Sequence, residues 1–271
     1  MVYMHEDNIE AKINQTKQNG KNVNGYNNKR KELKKFKKDF YLPFHQNMLA
    51  LSFSPSNPEA SDVLAKASEY INEYYNQAKT FADTHKITSQ SKFLSTILEE
   101  ISCYIFKDIP QIVSGAYGIY NHAICSGLSI ESVTQIKPMT KDVDFCIGIK
   151  TDISFGSGSK TEIVVPIVAV EVKTYLDATM FGEIKSSARE LQGITPCAKT
   201  YVLAGYNAVK DTPLIVARNQ PNPSEVFVLR KDKNSLIDAS ALYLYWKEVC
   251  EAIISAANPL PIVTPGKLLH P

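Results

Sequence analysis

The 271-residue sequence predicts an α/β protein with a mixed central β-sheet flanked by helices. Three observations carry that prediction. Helical and strand-like runs follow one another in the order α-β-β-β-α-β. One run, Ile163 to Val170, is apolar at every position, as in a central strand covered on both faces. The helical stretches repeat apolar residues at three- and four-residue spacing. The chain is long enough to bury about 70–75% of its unfolded surface, so it needs no disulfide framework to hold it.

The elements follow from the N-terminus. Residues 1–40 hold ten Lys or Arg against five Asp or Glu, a net of +5, whereas residues 41–271 hold 20 against 23, a net of −3; the whole chain carries +2. Within residues 12–38 the single acid is Glu32. The stretch Ala11 to Asn28 is rich in Asn, Gln and Lys, which predicts flexibility. From Asn28 to Phe40, Leu33, Phe36 and Phe40 recur at helical spacing among lysines, which predicts a basic amphipathic helix. Residues 1–40 therefore read as a basic arm, partly flexible. Its Lys34 and Lys35 are either phosphate contacts for a nucleic acid or the wet side of a solvated tail.

Residues 41–90 read as a helical region, built on a helix over Asp62 to Phe81 that carries Leu64, Ala67, Ile71 and Tyr74. Residues 91–256 form the core. A helix over Ser91 to Phe106 precedes β-like runs at Gln111–Tyr117, Val143–Ile149 and Ile163–Val172; a helix over Phe181–Gln192 leads to runs at Thr200–Ala204 and Val226–Leu229, and a last helix spans Leu236–Ala256. Gly156-Ser157-Gly158-Ser159 joins two strands and so predicts a hairpin loop; a phosphate loop would open a helix. Residues 257–271 read as a Pro-rich tail.

Several function classes drop out. The longest apolar run has eight residues, against roughly 20 for a membrane span. His5, Glu6, Asp7 and Glu10 stand where a secretory signal would be apolar, so a cytoplasmic location is expected. The five cysteines are odd in number and lack a C-x-x-C pair, which predicts small buried hydrophobes. Scattered histidines give no H-E-x-x-H zinc signature, and no G-x-S-x-G elbow is present.

One constellation carries chemistry. Glu-x-Lys occurs four times, and only Glu171-Val172-Lys173 directly follows the doubly apolar run. Residues two apart on a strand share a face, so Glu171 and Lys173 project together where burial should be costly unless they pair or bind something. Upstream, Asp142 and Asp144 open another apolar run. A hairpin between the two runs would lay one of these aspartates beside Glu171, and two carboxylates with a carbonyl such as that of Val172 make an oxygen site suited to Mg2+.

On these residues the sequence resembles the PD-(D/E)xK nuclease superfamily, and within it the type II restriction endonucleases; the BbvCI-like group, whose halves are separate related subunits, is a closer resemblance. The resemblance spans roughly residues 91–204. It implies a restriction-endonuclease-like αβββαβ core with an additional N-terminal helical region. It also implies Asp144 and Glu171 as metal ligands with the carbonyl of Val172, Lys173 as the catalytic lysine, and an extra acid on the preceding helix. On that helix Leu94, Ile97, Leu98, Ile101 and Ile105 define an apolar face, with Glu99 opposite and Glu100 on the flank, so Glu100 is either the extra acid or a solvated glutamate. Lys185, Arg189 and Gln192 share a face of the later helix and are expected near the DNA. Base contacts are sought among residues 121–140 and 174–179, including Asn121, His122, Gln135, Lys137 and Asp177.

The expected activity is magnesium-dependent hydrolysis of double-stranded DNA by a homodimer, or by a heterodimer with a related nuclease subunit. A structure-specific repair or recombination nuclease and a catalytically silent DNA-binding protein are the alternatives.

Overall fold

The computed structural model describes residues 3–14, 29–87, 92–132, 135–154, 160–195, 197–210, 213–214 and 222–256. Of the flexible stretch expected over Ala11 to Asn28, residues 11–14 instead belong to the first helix, and residues 15–28 lie outside the described residues, as do the loop expected at Gly156–Ser159 and the Pro-rich tail. Its helices are α1 (Met4–Asn14), α2 (Arg30–Phe36), α3 (Leu42–Ala50), α4 (Ala60–Thr84), α5 (Ser95–Phe106), α6 (Pro110–Val113), α7 (Ala178–Ile194) and α8 (Ala239–Ala256); its strands are β1 (Gly118–Ser132), β2 (Gln135–Ile153), β3 (Thr161–Lys173), β4 (Lys199–Tyr206) and β5 (Glu225–Arg230). Among the described residues no helix is long and apolar enough to cross a membrane.

The strands form one mixed sheet in the order β1-β2-β3-β4-β5. β1, β2 and β3 pair antiparallel, and β3, β4 and β5 pair parallel. Parallel neighbours need a crossover, which α7 supplies between β3 and β4. β3 is the middle strand, and its residues 167–170 are buried, as an unbroken apolar run requires.

The two faces of the sheet are filled differently. Phe145, Ile147, Val168, Val170, Val172 and Leu203 pack against α5, α8 and the N-terminal helices in one continuous core. The opposite face is covered by α7, through Phe181 and Ile184 on Val202 and Ala204, and through Leu191 on Ile124, Val143, Cys146 and Ala169.

The N-terminal region departs from a loosely attached arm. Met4, His5, Ile9 and Ile13 bury one face of α1, and Leu33 and Phe36 anchor α2. A π-helical turn over Lys37–Tyr41 connects α2 to α3, which carries Pro43 in its first turn. Proline lacks the N–H of a regular helix and crowds the carbonyl four residues earlier, and the wider turn accommodates both. Lys37 donates to Glu6 and Glu10 on α1, so part of the arm's positive charge is spent within the fold. Lys34 and Lys35 are exposed.

The first strand was misplaced by sequence pattern. Pro110 presets a helical turn at residues 110–113, Gly115 takes φ +76 to end it, and β1 begins only at Gly118. β1 and β2 extend well beyond the predicted strand as a long antiparallel pair. Its register shifts between Tyr120 and His122, between Cys125 and Gly127 and between Ile130 and Ser132, and each shift breaks the alternation that marks a strand in sequence. Among the cysteines, Cys103, Cys146 and Cys250 are buried as expected, and Cys197 is exposed.

Candidate active site

The site forms where β2 and β3 leave their shared ladder. Phe145 pairs with Val170 at its last rung, which brings Asp144 level with Glu171. On the other side of β2, Cys146 pairs with Tyr120 and Val143 with His122, so Asp144 and Phe145 stand opposite Asn121 alone. Such an extra residue bends its strand and re-aims side chains. Phe145 keeps its place in the core, and Asp144 turns its carboxylate toward β3.

Three contacts fix the cluster. The backbone N–H of Val172 donates to Asp144 Oδ2 at 2.8 Å. Lys173 Nζ donates to the same oxygen at 3.3 Å and to Glu171 Oε2 at 3.0 Å. The structure therefore brings together Asp144, Glu171, Val172 and Lys173 of the predicted residues. Asp142 is exposed and pairs with Ala123 in the ladder, away from this cluster. Burial pushes the Glu171 carboxyl up; the Lys173 ammonium counters this, and the Asp144 charge adds to the rise. For Lys173, burial disfavours the charge, yet Asp144 and Glu171 together hold its pKa above the ordinary lysine value.

Glu100 is not part of this cluster. Because α5 is sandwiched between the sheet and the N-terminal helices, its residues from Thr96 to Phe106 are all buried, and the two glutamates point to different neighbours. Glu100 Oε2 accepts from the backbone N–H groups of His5 (2.9 Å) and Glu6 (3.0 Å), in the first turn of α1. Its Oε1 accepts from Tyr41 (3.0 Å) and Tyr104 (2.8 Å). A carboxylate at a helix N-terminus satisfies otherwise orphaned donors, so Glu100 holds α1 on the body. His5 completes this join through Thr96 (2.9 Å) and Tyr74 (2.6 Å).

Glu99 is the acid that faces the cluster. Burial pushes its carboxyl up to about 7, the Asp144 charge adds to the rise, and Lys92 and Lys173 oppose it. Sequence periodicity set Glu99 on the side away from the apolar stripe, and on a helix buried all round that side is the one turned to the site. The signal available in the sequence was the pair itself: two adjacent acids on an otherwise apolar helix.

The DNA-contact candidates on α7 lie apart from the cluster. Ile184, Ala188 and Leu191 face the sheet and line a narrow cleft that reaches Glu171. Lys185 is half-buried over the Phe181 ring at 5.2 Å, Arg189 is exposed and Gln192 is half-buried. Their hydrogen bonds and ion pairs among the described residues do not link them to Asp144, Glu171 or Lys173. Lys141 on β2 pairs with Glu190 on α7 at 2.8 Å and ties the helix to the Asp strand. Asp177 caps α7, its Oδ1 accepting from Met180 N–H at 2.9 Å.

Among the described residues no group of three or more His, Cys, Asp or Glu is poised around a common point as for a metal ion. The oxygen donors at this site are the carboxylate pair of Asp144 and Glu171, with Glu99 behind them.

Comparison with known proteins places this geometry in context. A protein-family model described as Bpu10I restriction endonuclease matches residues 90–247, the stretch from α5 to α8 that contains the cluster. No curated protein matches the chain. Among solved structures, the native BbvCI A2B2 tetramer at low resolution has a similar fold, with a TM-score of 0.72 at 15% identity over 95% of this chain and 97% of that one.

Proposed function

The chain belongs to the Bpu10I restriction endonuclease family, and from that premise we propose that it is a type II restriction endonuclease that hydrolyses phosphodiester bonds of double-stranded DNA with magnesium. The observation that carries the reading is the cluster at the end of β3, where one ammonium touches two carboxylates contributed by neighbouring strands.

The donor set fits a hard divalent cation. Asp144 and Glu171 share the Lys173 ammonium. Burial is the main cause that raises the carboxyls of Glu99 and Glu171, with the Asp144 charge adding to both, and a divalent cation would favour their ionised forms. Asp144, Glu171 and the carbonyl of Val172 would hold the cation. When bound, magnesium supplies positive charge at the scissile phosphate and makes a nearby water more acidic.

The chain's own groups do the rest. Val172 N–H keeps Asp144 Oδ2 in one orientation, so the acid does not have to be ordered on each turnover. Lys173 carries its ammonium to the spot where negative charge grows on the phosphate as the bond to the attacking oxygen forms. Glu99, with its carboxyl near 7, is able to hold a proton at its carboxyl oxygens around neutral pH and release it. Lys34, Lys35, Lys185, Arg189 and Gln192 are proposed to contact the DNA away from the reacting atoms.

One such cluster per chain cuts one strand, so cleavage of a duplex calls for a second chain, either a copy or a related subunit. The BbvCI structure of similar fold is a tetramer of composition A2B2.

The test is plasmid incubation with magnesium followed by sequencing of the ends. Discrete sites are expected for a restriction enzyme, and scattered or structure-dependent cuts would point to a repair enzyme. Glu171→Ala is expected to abolish cleavage and also the heat of magnesium binding in calorimetry. Tight DNA retention with no cleavage under any divalent cation would make the cluster an ion pair only.

A further inference from the structure

A second cavity, of about 280 Å³, opens beside the cluster. That volume lies at the lower end of small-molecule sites, roughly 300–1,000 Å³. It lies where β3, β4 and β5 end, because Thr174, Tyr206 and Arg230 all line it. Ligands of open α/β sheets gather outside the carboxyl ends of the strands. Thr174 directly follows Lys173, and Ser95, also in the wall, stands one helical turn before Glu99 on α5.

The charge on its walls is one-sided. Among the described residues, Lys79, Arg230 and Lys233 line the cavity and no acid does. Arg230 is the unusual member. It is only 7% exposed, and its Nε is buried without a hydrogen-bond partner. Among the described residues no ion pair reaches it; its guanidinium lies 3.8 Å from the centre of the Tyr75 ring. A buried cation with no anion is costly, and the face of one ring offsets only part of that cost. A guanidinium with free donors has the planar fork that receives an oxyanion, above all a phosphate.

The remaining wall is aromatic. Tyr175 and Tyr206 are stacked, with ring centres 5.9 Å apart and planes 25° apart. Tyr175 is 38% exposed, so one face of this pair is open to a flat partner. A bare phosphate would leave that face unused, and an apolar ligand would leave Arg230 unpaired. A ligand that satisfies both carries a phosphate and a flat ring.

We infer that this cavity binds a nucleotide, with Arg230, Lys79 and Lys233 on its phosphate and the Tyr175–Tyr206 pair under its base. That the nucleotide belongs to a DNA strand running on from the Asp144–Glu171–Lys173 cluster rests on the nuclease reading above. Base–aromatic stacking and a charged phosphate contact each contribute to affinity, so both halves of the ligand are needed for full binding.

The test titrates the full chain with dAMP, deoxyadenosine and inorganic phosphate, following tyrosine fluorescence. Binding of dAMP at least tenfold tighter than of either half is expected. Arg230→Met is expected to weaken dAMP at least tenfold. Tyr175→Ala should remove the advantage of dAMP over phosphate while leaving phosphate affinity unchanged. Should Arg230→Met fail to fold, Lys233→Ala and Tyr175→Ala, both at exposed positions, carry the test alone. Equal affinities for phosphate and dAMP, or no effect of these variants, overturn the assignment. Lys173→Ala separates the two readings, since it should lose plasmid cleavage and keep dAMP affinity. A chain that binds dAMP as described and never cuts DNA defeats the nuclease reading and leaves the pocket standing.

Discussion

Replacing Lys173 by Met removes the ammonium and keeps most of the side chain's length, which makes it a direct test of the cluster. In the parent, the ammonium lies 3.0 Å from Glu171 Oε2 and 3.3 Å from Asp144 Oδ2. At an effective dielectric constant of about 20, each contact is worth roughly 5 kcal/mol of attraction before desolvation. The three side chains keep 21–29% exposure, so solvent screens the cluster and burial has already reduced the gain. A net loss of about 1–3 kcal/mol is therefore expected, below the 3–5 kcal/mol typical of breaking a fully buried pair. For a chain of this size that lowers Tm by about 2–10 °C. The deficit should be largest at alkaline pH, where Glu171 is ionised, and should shrink in acid as Glu171, whose carboxyl burial pushes up, takes up its proton. Magnesium should restore stability to the variant, by about 2.7 kcal/mol at a hundred times its Kd. In an Asp144→Asn, Lys173→Met double variant that gain should vanish. Thermal unfolding followed by circular dichroism, with and without magnesium at two pH values, measures all of this, and plasmid cleavage should fall at least about a hundredfold. A variant as stable as its parent at alkaline pH, indifferent to magnesium, would refute both the ion cluster and the cation site.

Three further outcomes are expected. The Glu99 carboxyl is pushed from 4.5 up to about 7 on folding, so the native chain binds more protons than the unfolded chain between those values and its stability falls as pH rises through that window. At about 1.4 kcal/mol per pKa unit this amounts to about 3 kcal/mol, and Glu99→Gln should remove that much of the fall in urea-unfolding stability between pH 5 and 8, while Glu100, which burial also pushes up to about 7, the raised Glu171 and the lowered, buried His5 keep their own contributions. Ile9→Ala empties a fully buried position on α1 and should cost about 2–5 kcal/mol in urea unfolding, with faster amide exchange along α1; a loss under 1 kcal/mol would mean that α1 is not docked. Lys34→Ala with Lys35→Ala should leave Tm unchanged and reduce the slope of log affinity for DNA against log salt by about 0.9 for each phosphate no longer neutralised, whereas an unchanged slope would assign these lysines to the solvent.

Much of the sheet was legible because β3 is apolar on both faces and the sequence before β4 and β5 is punctuated by Gly193, Pro196, Pro221 and Pro223. The part that escaped is the β1–β2 pair, whose bulges destroy the two-residue alternation that a reader relies on. Asp144, Glu171 and Lys173 were legible for a related reason: charges that interrupt or end a buried strand stand out against it. Glu100 escaped sequence reasoning because three of its four hydrogen-bond partners are supplied by α1 and the π-helical turn, more than fifty residues away in sequence, and no local pattern records them. The same distance hid the docking of α1, whose Asn8, Lys12 and Asn14 look like residues of a free tail. The cavity at Arg230 left no trace in sequence at all, since its walls come from α4, α5 and the ends of three strands.

The position of β3 bears on when this chain becomes dangerous to the cell that makes it. The strand is held antiparallel on one side and parallel on the other, and the parallel partner, residues 199–206, is synthesised after every member of the cluster. Parallel pairing is non-local and forms late, once a crossover has been closed. A half-made chain on the ribosome therefore possesses Glu99, Asp144, Glu171 and Lys173 and lacks the strand that fixes the last two in place. Because the cluster is carried by the middle strand of the sheet, it should open only when that strand loses its partners, so that under the proposed function the capacity to cut arrives and departs with the fold as a unit.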